Sequence, residues 1–159
     1  NSPRWSAFHL YKMGKLIPEN AAKFPTTMRL IDGAPQPDQP GRTPAAMFSL
    51  LKPKTRIPAH TGVTNVRLVT HLPLIIPEDC TFRVGNATRA WSHGKAWVFD
   101  DTIEHEARND SDDLRVVLIF DIWNPYLTEA ERALVAAAVP AMARFYAEAG
   151  SPVLSTPAN

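Results

Sequence analysis

Cysteine is almost missing from this chain: Cys80 is the single one among 159 residues, so no internal disulfide can form. Cys80 lies in an apolar, strand-like segment, where a thiol acts as a small buried hydrophobe. Long apolar runs are missing too. None approaches the ~20 residues needed to cross a bilayer, and the opening Asn1-Ser2-Pro3-Arg4-Trp5 lacks the character of a secretory leader. The expectation is a soluble, cytoplasmic protein in a reducing compartment. Charge of one sign is also lacking, with 17 basic residues against 16 acidic ones and a formal net charge of +1. No run of five like charges occurs, so neither a nucleic-acid patch nor a polybasic membrane surface is indicated.

Glycine is sparse, seven residues against 15 prolines. Prolines spread along the chain cut it into short segments, which predicts a β-rich body. An apolar fraction of 45% over this length supports one core, hence a single domain over residues 1–159. Strands are predicted at 46–51, 80–84, 88–91, 95–99 and 114–122. The last is nearly all apolar, as a central strand buried on both faces would be. From residue 64 the pattern alternates: Val66, Leu68, Leu72 and Leu74 share one face, and Asn65, Arg67, Val69 and His71 share the other. With the apolar face outward against other elements, Arg67 and His71 would line a polar cavity, as in small jelly rolls. Residues 34–44 form a proline-rich loop, a connector or a lid. Thr128-Glu129-Ala130-Glu131 is a capping box opening a helix that Pro140 kinks or divides and Gly150 ends. Its alanine-rich face suits packing on the outside of the β body or against a second copy.

Chemistry concentrates in His60-Thr61-Gly62, His105 and Arg115. Two imidazoles on a rigid β scaffold can grip a ferrous ion and leave positions open for a cosubstrate and O2. The usual two-histidine, one-carboxylate triad reads His-x-Asp at the first motif, and here Gly62 fills the carboxylate slot. Arg115 is one charge in an apolar strand, costly to bury unless paired. Its planar fork suits a bound dicarboxylate, or else Asp112 or Asp113 close by in sequence. Glu104 and Glu106 flank His105 and on a strand point away from it. Asp100 and Asp101 read as turn residues, His9 and His93 as surface or loop histidines, and Trp91, Trp97 and Trp123 as core mass.

The run His60-Thr61-Gly62-Val63-Thr64-Asn65-Val66-Arg67-Leu68 leads into His71-Leu72-Pro73-Leu74. Later come Trp91-Ser92-His93-Gly94-Lys95, Phe99-Asp100-Asp101, Glu104-His105-Glu106 and Asp121-Ile122-Trp123-Asn124-Pro125. In order and spacing this resembles the aspartyl/asparaginyl β-hydroxylase family, from about Trp5 to the helix near Thr128. The resemblance implies a mainly β, double-stranded β-helix (a jelly roll of cupin type) with the N-terminal segment and C-terminal helix packed outside. It further implies iron(II), 2-oxoglutarate and O2, and hydroxylation of an unactivated carbon with release of succinate and CO2. In that family a glycine stands at the vacant ligand place, which Gly62 matches. Position by position, the resemblance makes His60 and His105 the iron ligands and catalytic centre. Arg115 becomes the anchor for the distal carboxylate of 2-oxoglutarate, Ser49 its assisting hydroxyl, and His71 a donor near the keto-acid end. Arg67 becomes a substrate-binding cation.

One departure bears on substrate. Family members that act on protein aspartate carry a second arginine two residues after the position of Arg67, and this chain has Val69. A guanidinium on a substrate carboxylate is worth about 1.5–3 kcal/mol; valine contributes none. The expected function is oxidation at the β-carbon of an Asp or Asn residue, in a peptide or amino acid, or of a related small molecule. Two alternatives stand beside it: hydroxylation of a lipid acyl chain, as some relatives do, and a non-catalytic metal-binding jelly roll. The last would need a closed, four-ligand metal site, whereas two histidines and a glycine leave positions open.

Overall fold

The computed structural model describes residues 4–39 and 41–148. Its elements follow as β1 (Trp5–Lys12), β2 (Lys15–Leu16), α1 (Pro18–Ala21), α2 (Pro25–Asp32), β3 (Ala46–Leu51), β4 (Thr55–His60) and β5 (Arg67–Ile75). Then come β6 (Cys80–Val84), β7 (Ala87–Ala90), β8 (Trp97–Phe99), β9 (His105–Asn109), β10 (Arg115–Trp123) and α3 (Glu129–Glu148). Six strands form one sheet in the order β2-β1-β3-β10-β5-β8, and four form a second in the order β4-β9-β6-β7. The predicted mainly β jelly roll is what is observed.

β10 explains the layering. Its β-branched and aromatic residues suit a pleated strand, and alternation sends successive side chains to opposite faces. Leu118 and Phe120 pack outward with Leu10, Ile31, Ala46 and Phe48, a core that Phe24 and Met28 cover from the helical side. Val117 packs inward with Leu51 from the larger sheet and Cys80, Phe82 and Ala107 from the smaller one, joined by Trp91. The strand is therefore apolar on both faces because each face has its own core. In β5 the outward Leu72 and Leu74 join the first core, while His71 is buried among the aromatic rings of the second.

Several expectations are refined. The strands predicted at 88–91, 95–99 and 114–122 run 87–90, 97–99 and 115–123. The N-terminal segment adds helical cover and also enters the larger sheet, β1 pairing with β3. His9 accordingly sits half-buried on a strand rather than in a loop, whereas His93 is exposed. α3 opens with the predicted box, Thr128 N–H donating to Glu131 at 2.7 Å and Glu131 N–H to the Thr128 hydroxyl at 3.3 Å. One helix runs through Pro140; Gly150 lies outside the described residues. The loop predicted at 34–44 is fastened near both ends, Trp123 N–H donating to the Pro35 carbonyl and Gly14 N–H to the Pro44 carbonyl.

Strand register gives the barrel two distinct ends. Leu51 lies opposite Arg115 and Trp5, and Thr55 and Cys80 lie opposite Asn109. At the other end His60 meets His105, Val84 meets His105 and Arg67 meets Trp123.

A candidate metal centre and cosubstrate pocket

His60 closes β4 and His105 opens β9, and cross-strand pairing sets them directly opposite one another. Their ring centroids are 4.2 Å apart. The Nδ1 of His60 lies 2.8 Å from the Pro58 carbonyl and that of His105 lies 2.9 Å from the Ile103 carbonyl. A carbonyl only accepts, so each Nδ1 carries the proton and each Nε2 keeps a free lone pair, the form in which imidazole binds a metal. Burial is the main cause holding the His105 pKa below its usual range, which keeps that ring neutral. Among the described residues no group of three or more His, Cys, Asp or Glu side chains is arranged to hold a metal ion. The closed cage of a structural metal is therefore not formed there.

Gly62 has a specific reason to be glycine. A Cβ at this position would run into the Asp101 carboxylate, and Gly62 N–H donates to the Asp101 carbonyl at 2.6 Å. Asp101 therefore occupies the space that a side chain at residue 62 would need. It is buried, Arg67 donates to its Oδ2 at 2.8 Å, and its Oδ1 has no hydrogen-bond partner. The turn role read for Asp101 is thus incomplete. Asp121 completes this cluster with Oδ1 3.4 Å from Arg67, its Oδ2 accepting from Ala45 N–H. Burial raises the Asp121 pKa to about 6, with Arg67 and the Ala45 hydrogen bond opposing the shift. The sequence signal for Asp121 was one acidic residue in an apolar strand; Asp101 had no such signal, since only tertiary contact brings it to Gly62.

Deeper in the barrel, Arg115 is 1% exposed, and its Nε and Nη2 have no hydrogen-bond partner. Among the described residues neither Asp112 nor Asp113 forms an ion pair with Arg115, and Asp112 pairs with Lys54 at 3.1 Å. Burial lowers the Arg115 pKa to about 10, still well above neutrality. Its guanidinium carbon sits 5.2 Å from the centre of the Trp91 ring, which supplies a cation–π contact. Ser49 is one register step away on the same inner face, because Ser49 pairs with Val117 and Leu51 with Arg115. Its hydroxyl accepts from Trp5 Nε1 at 3.1 Å, which leaves its own proton to donate.

His71 lies between the two regions. It is buried and its Nδ1 has no partner, and its ring centroid is 4.8 Å from Phe82 and 5.0 Å from Phe99. Burial first, then the charges of Arg115 and His105, lower its pKa to about 3. Glu106 turns to the outer face, where Arg56 and Arg83 pair with it, and Cys80 is a buried free thiol. Trp91 and Trp97 belong to the inner core, whereas Trp123 is half-buried beneath Arg132 at the barrel end that carries His60 and His105, termed the open end.

One jelly-roll barrel thus holds two imidazoles set side by side and a buried guanidinium with unpartnered nitrogens. The family model described as aspartyl/asparaginyl beta-hydroxylase matches residues 1–125, and the chain belongs to that family. It is 40% identical over 130 residues to the human aspartyl/asparaginyl beta-hydroxylase, covering 80% of this chain and 17% of that protein. It is 39% identical over 130 residues to the ornithine lipid ester-linked acyl 2-hydroxylase of Rhizobium tropici, covering 80% and 44%. A third relative, the human aspartate beta-hydroxylase domain-containing protein 2, is 35% identical over 134 residues, 82% of this chain and 36% of that protein. The chain thus spans less than half the length of each. Among solved structures, a cupin domain of an XRE family transcriptional regulator from Enterobacter cloacae aligns with a TM-score of 0.50 at 9% identity, covering 76% of this chain and 98% of that one. It shares the fold. No described helix is long and apolar enough to cross a membrane.

Proposed function

We propose that this chain is an iron(II)- and 2-oxoglutarate-dependent dioxygenase that hydroxylates an unactivated carbon. The carrying observation is Arg115, a buried cation with two unpartnered nitrogens in the same barrel as two imidazoles with free Nε2 lone pairs. A buried charge without a partner is costly, and a bidentate carboxylate relieves it. Bound iron(II) with 2-oxoglutarate and O2 would supply the oxidising power, ending in succinate, CO2 and the hydroxylated product.

The residues present fit that assembly. His60 and His105 hold the metal through Nε2, and the Pro58 and Ile103 carbonyls fix their tautomers. Arg115 takes the distal carboxylate of the cosubstrate, and the Ser49 hydroxyl donates beside it. His71, neutral by burial, offers an N–H toward the keto-acid end. Phe82 packs on Phe99 and Phe99 on His105, which makes the surroundings of that imidazole apolar. Asp101 keeps one buried acceptor oxygen unpartnered while its other oxygen accepts from Arg67.

Family membership favours the β-carbon of an Asp or Asn residue, or a related small molecule, as the oxidised position. A second reading, a lipid acyl chain, draws on one observation: Arg67 is already engaged by two carboxylates, and Val69 supplies no second cation. Succinate release measured over free Asp and Asn, peptides and acylated lipids tests both. Release must require iron(II) and vanish in His60→Ala and in His105→Ala; full iron-dependent release by His60→Ala would overturn the metal assignment.

A further inference from the structure

The open end of the barrel is unusually apolar at its surface. Strand register places five loops or turns there: the β1–β2 turn, the residues after His60, the β6–β7 turn, the segment before His105 and the residues after Trp123. Four of these five carry large exposed apolar side chains. Met13 is 60% exposed and Leu16 43%, Val63 67%, Ile103 48% and Tyr126 91%. The opposite end exposes Ile75 and Leu114, while Leu30 and Val98 lie on the flanks. α3 departs from the open end as well and exposes Leu134, Met142 and Phe145. Surface apolar residues scattered singly are ordinary, but several gathered on the loops of one barrel end mark an interaction surface.

Two features favour lipid over protein as the partner. Met13 tips its hairpin between Lys12 and Lys15, an apolar point flanked by cations, which suits an interface of acyl chains beneath anionic headgroups. Beside it lies a cleft of about 540 Å³ walled by Met13, Leu16, Ile17 and Pro18, with Lys12, Lys15 and Glu19 on its lining. With two ammonium groups against one carboxylate, this apolar cleft keeps a net positive edge, which suits an anionic amphiphile. Tyr126, the most exposed of the set, has the ring-plus-hydroxyl character that settles at headgroup depth.

We propose that the rim of the open end docks on a lipid bilayer, with Met13, Leu16, Val63, Ile103 and Tyr126 entering the interface. The chain is near neutral and carries no run of five like charges, so attachment comes from shallow apolar insertion, with Lys12 and Lys15 adding attraction to anionic lipid. Docking does not depend on the metal or on turnover, so it goes beyond the dioxygenase reading and stands or falls separately.

The test is co-sedimentation of the full chain, without metal, with vesicles of phosphatidylcholine and phosphatidylglycerol. The chain is expected to sediment with them and to stay bound as salt is raised. Combining Met13→Ser, Val63→Ser and Tyr126→Ser is expected to weaken binding about tenfold, and Tyr126→Ser alone to weaken it by a smaller factor. The far-end pair Ile75→Ser and Leu114→Ser is expected to bind like the parent. Circular dichroism of each variant checks folding. Absence of parent binding, binding unchanged by the rim substitutions, or equal loss in the far-end pair would overturn the proposal. So would a concentration-dependent dimer that the rim substitutions abolish, because the rim would then face a second copy.

Discussion

Gly62 and Asp101 behave as one unit at the scale of single residues. The glycine has no side chain because the aspartate carboxylate fills its place, and that carboxylate is pinned by Arg67. Gly62→Ala must therefore push Asp101 off Arg67, at a cost of about 1–3 kcal/mol of the overpacking kind. Asp101→Ala removes the obstacle, so the double variant should lose less than the sum of the singles. Urea denaturation of the four proteins measures that coupling; strict additivity would show that the two residues do not contact. Gly62→Asp, which restores the written form of the common triad, is expected to lower both stability and turnover, since it sets two carboxylates in one space. The sequence made His60, His105, Gly62 and Arg115 legible because each stands out against its neighbours. The Asp101 role was not, because two residues 39 positions apart meet only through the loops that follow β4 and β8.

Elements differ widely in what they contribute. β10 lies between β3 and β5 and supplies both cores. Leu118→Ala, at a site 1% exposed, is expected to cost about 2–5 kcal/mol. Leu134→Ala on α3, at a site 70% exposed, is expected to stay within about 0.5 kcal/mol of the parent. Denaturant midpoints compare the two directly. The same contrast explains what could be read in advance. β3 and β10 are largely apolar runs and β6 alternates as Cys-Thr-Phe-Arg-Val, and each lies within a residue of where these patterns put it. β1 hides its pattern because Ser6 and Ala7, which point to opposite faces, are both exposed, so burial does not alternate along it. α2 hides because Pro25 and two threonines open it, a start that reads as loop until Met28 and Ile31 are seen to cover the outer core.

For the whole molecule, acid should act through a buried neutral imidazole. The folded-state pKa of His71 falls from 6.5 to about 3. Between those values the unfolded chain binds a proton that the folded chain does not, so stability rises with pH through this window. His71 thus contributes no penalty above about pH 6.5 and an increasing one as pH falls toward about 3. His71→Asn should flatten that part of the acid limb of the metal-free protein, measured as melting temperature against pH. An unchanged slope would mean that His71 is not the buried neutral group described here. The jelly roll itself followed from pattern and resemblance together: alternation gave β5 its inward polar face, and proline spacing gave short strands. The depth of the pocket did not follow from either, because only strand register sets Arg115 at one end of the barrel and the histidine pair at the other.

Ligand-induced stabilisation tests the central claim most directly. With an inert divalent ion replacing iron, 2-oxoglutarate at ~100 times its Kd should stabilise the parent by about 2.7 kcal/mol, seen as a rise in melting temperature. Arg115→Met keeps the bulk of the side chain and removes its charge, and in that variant the rise should disappear. A rise of equal size in Arg115→Met, or none in the parent, would contradict the assignment of Arg115 as the cosubstrate anchor.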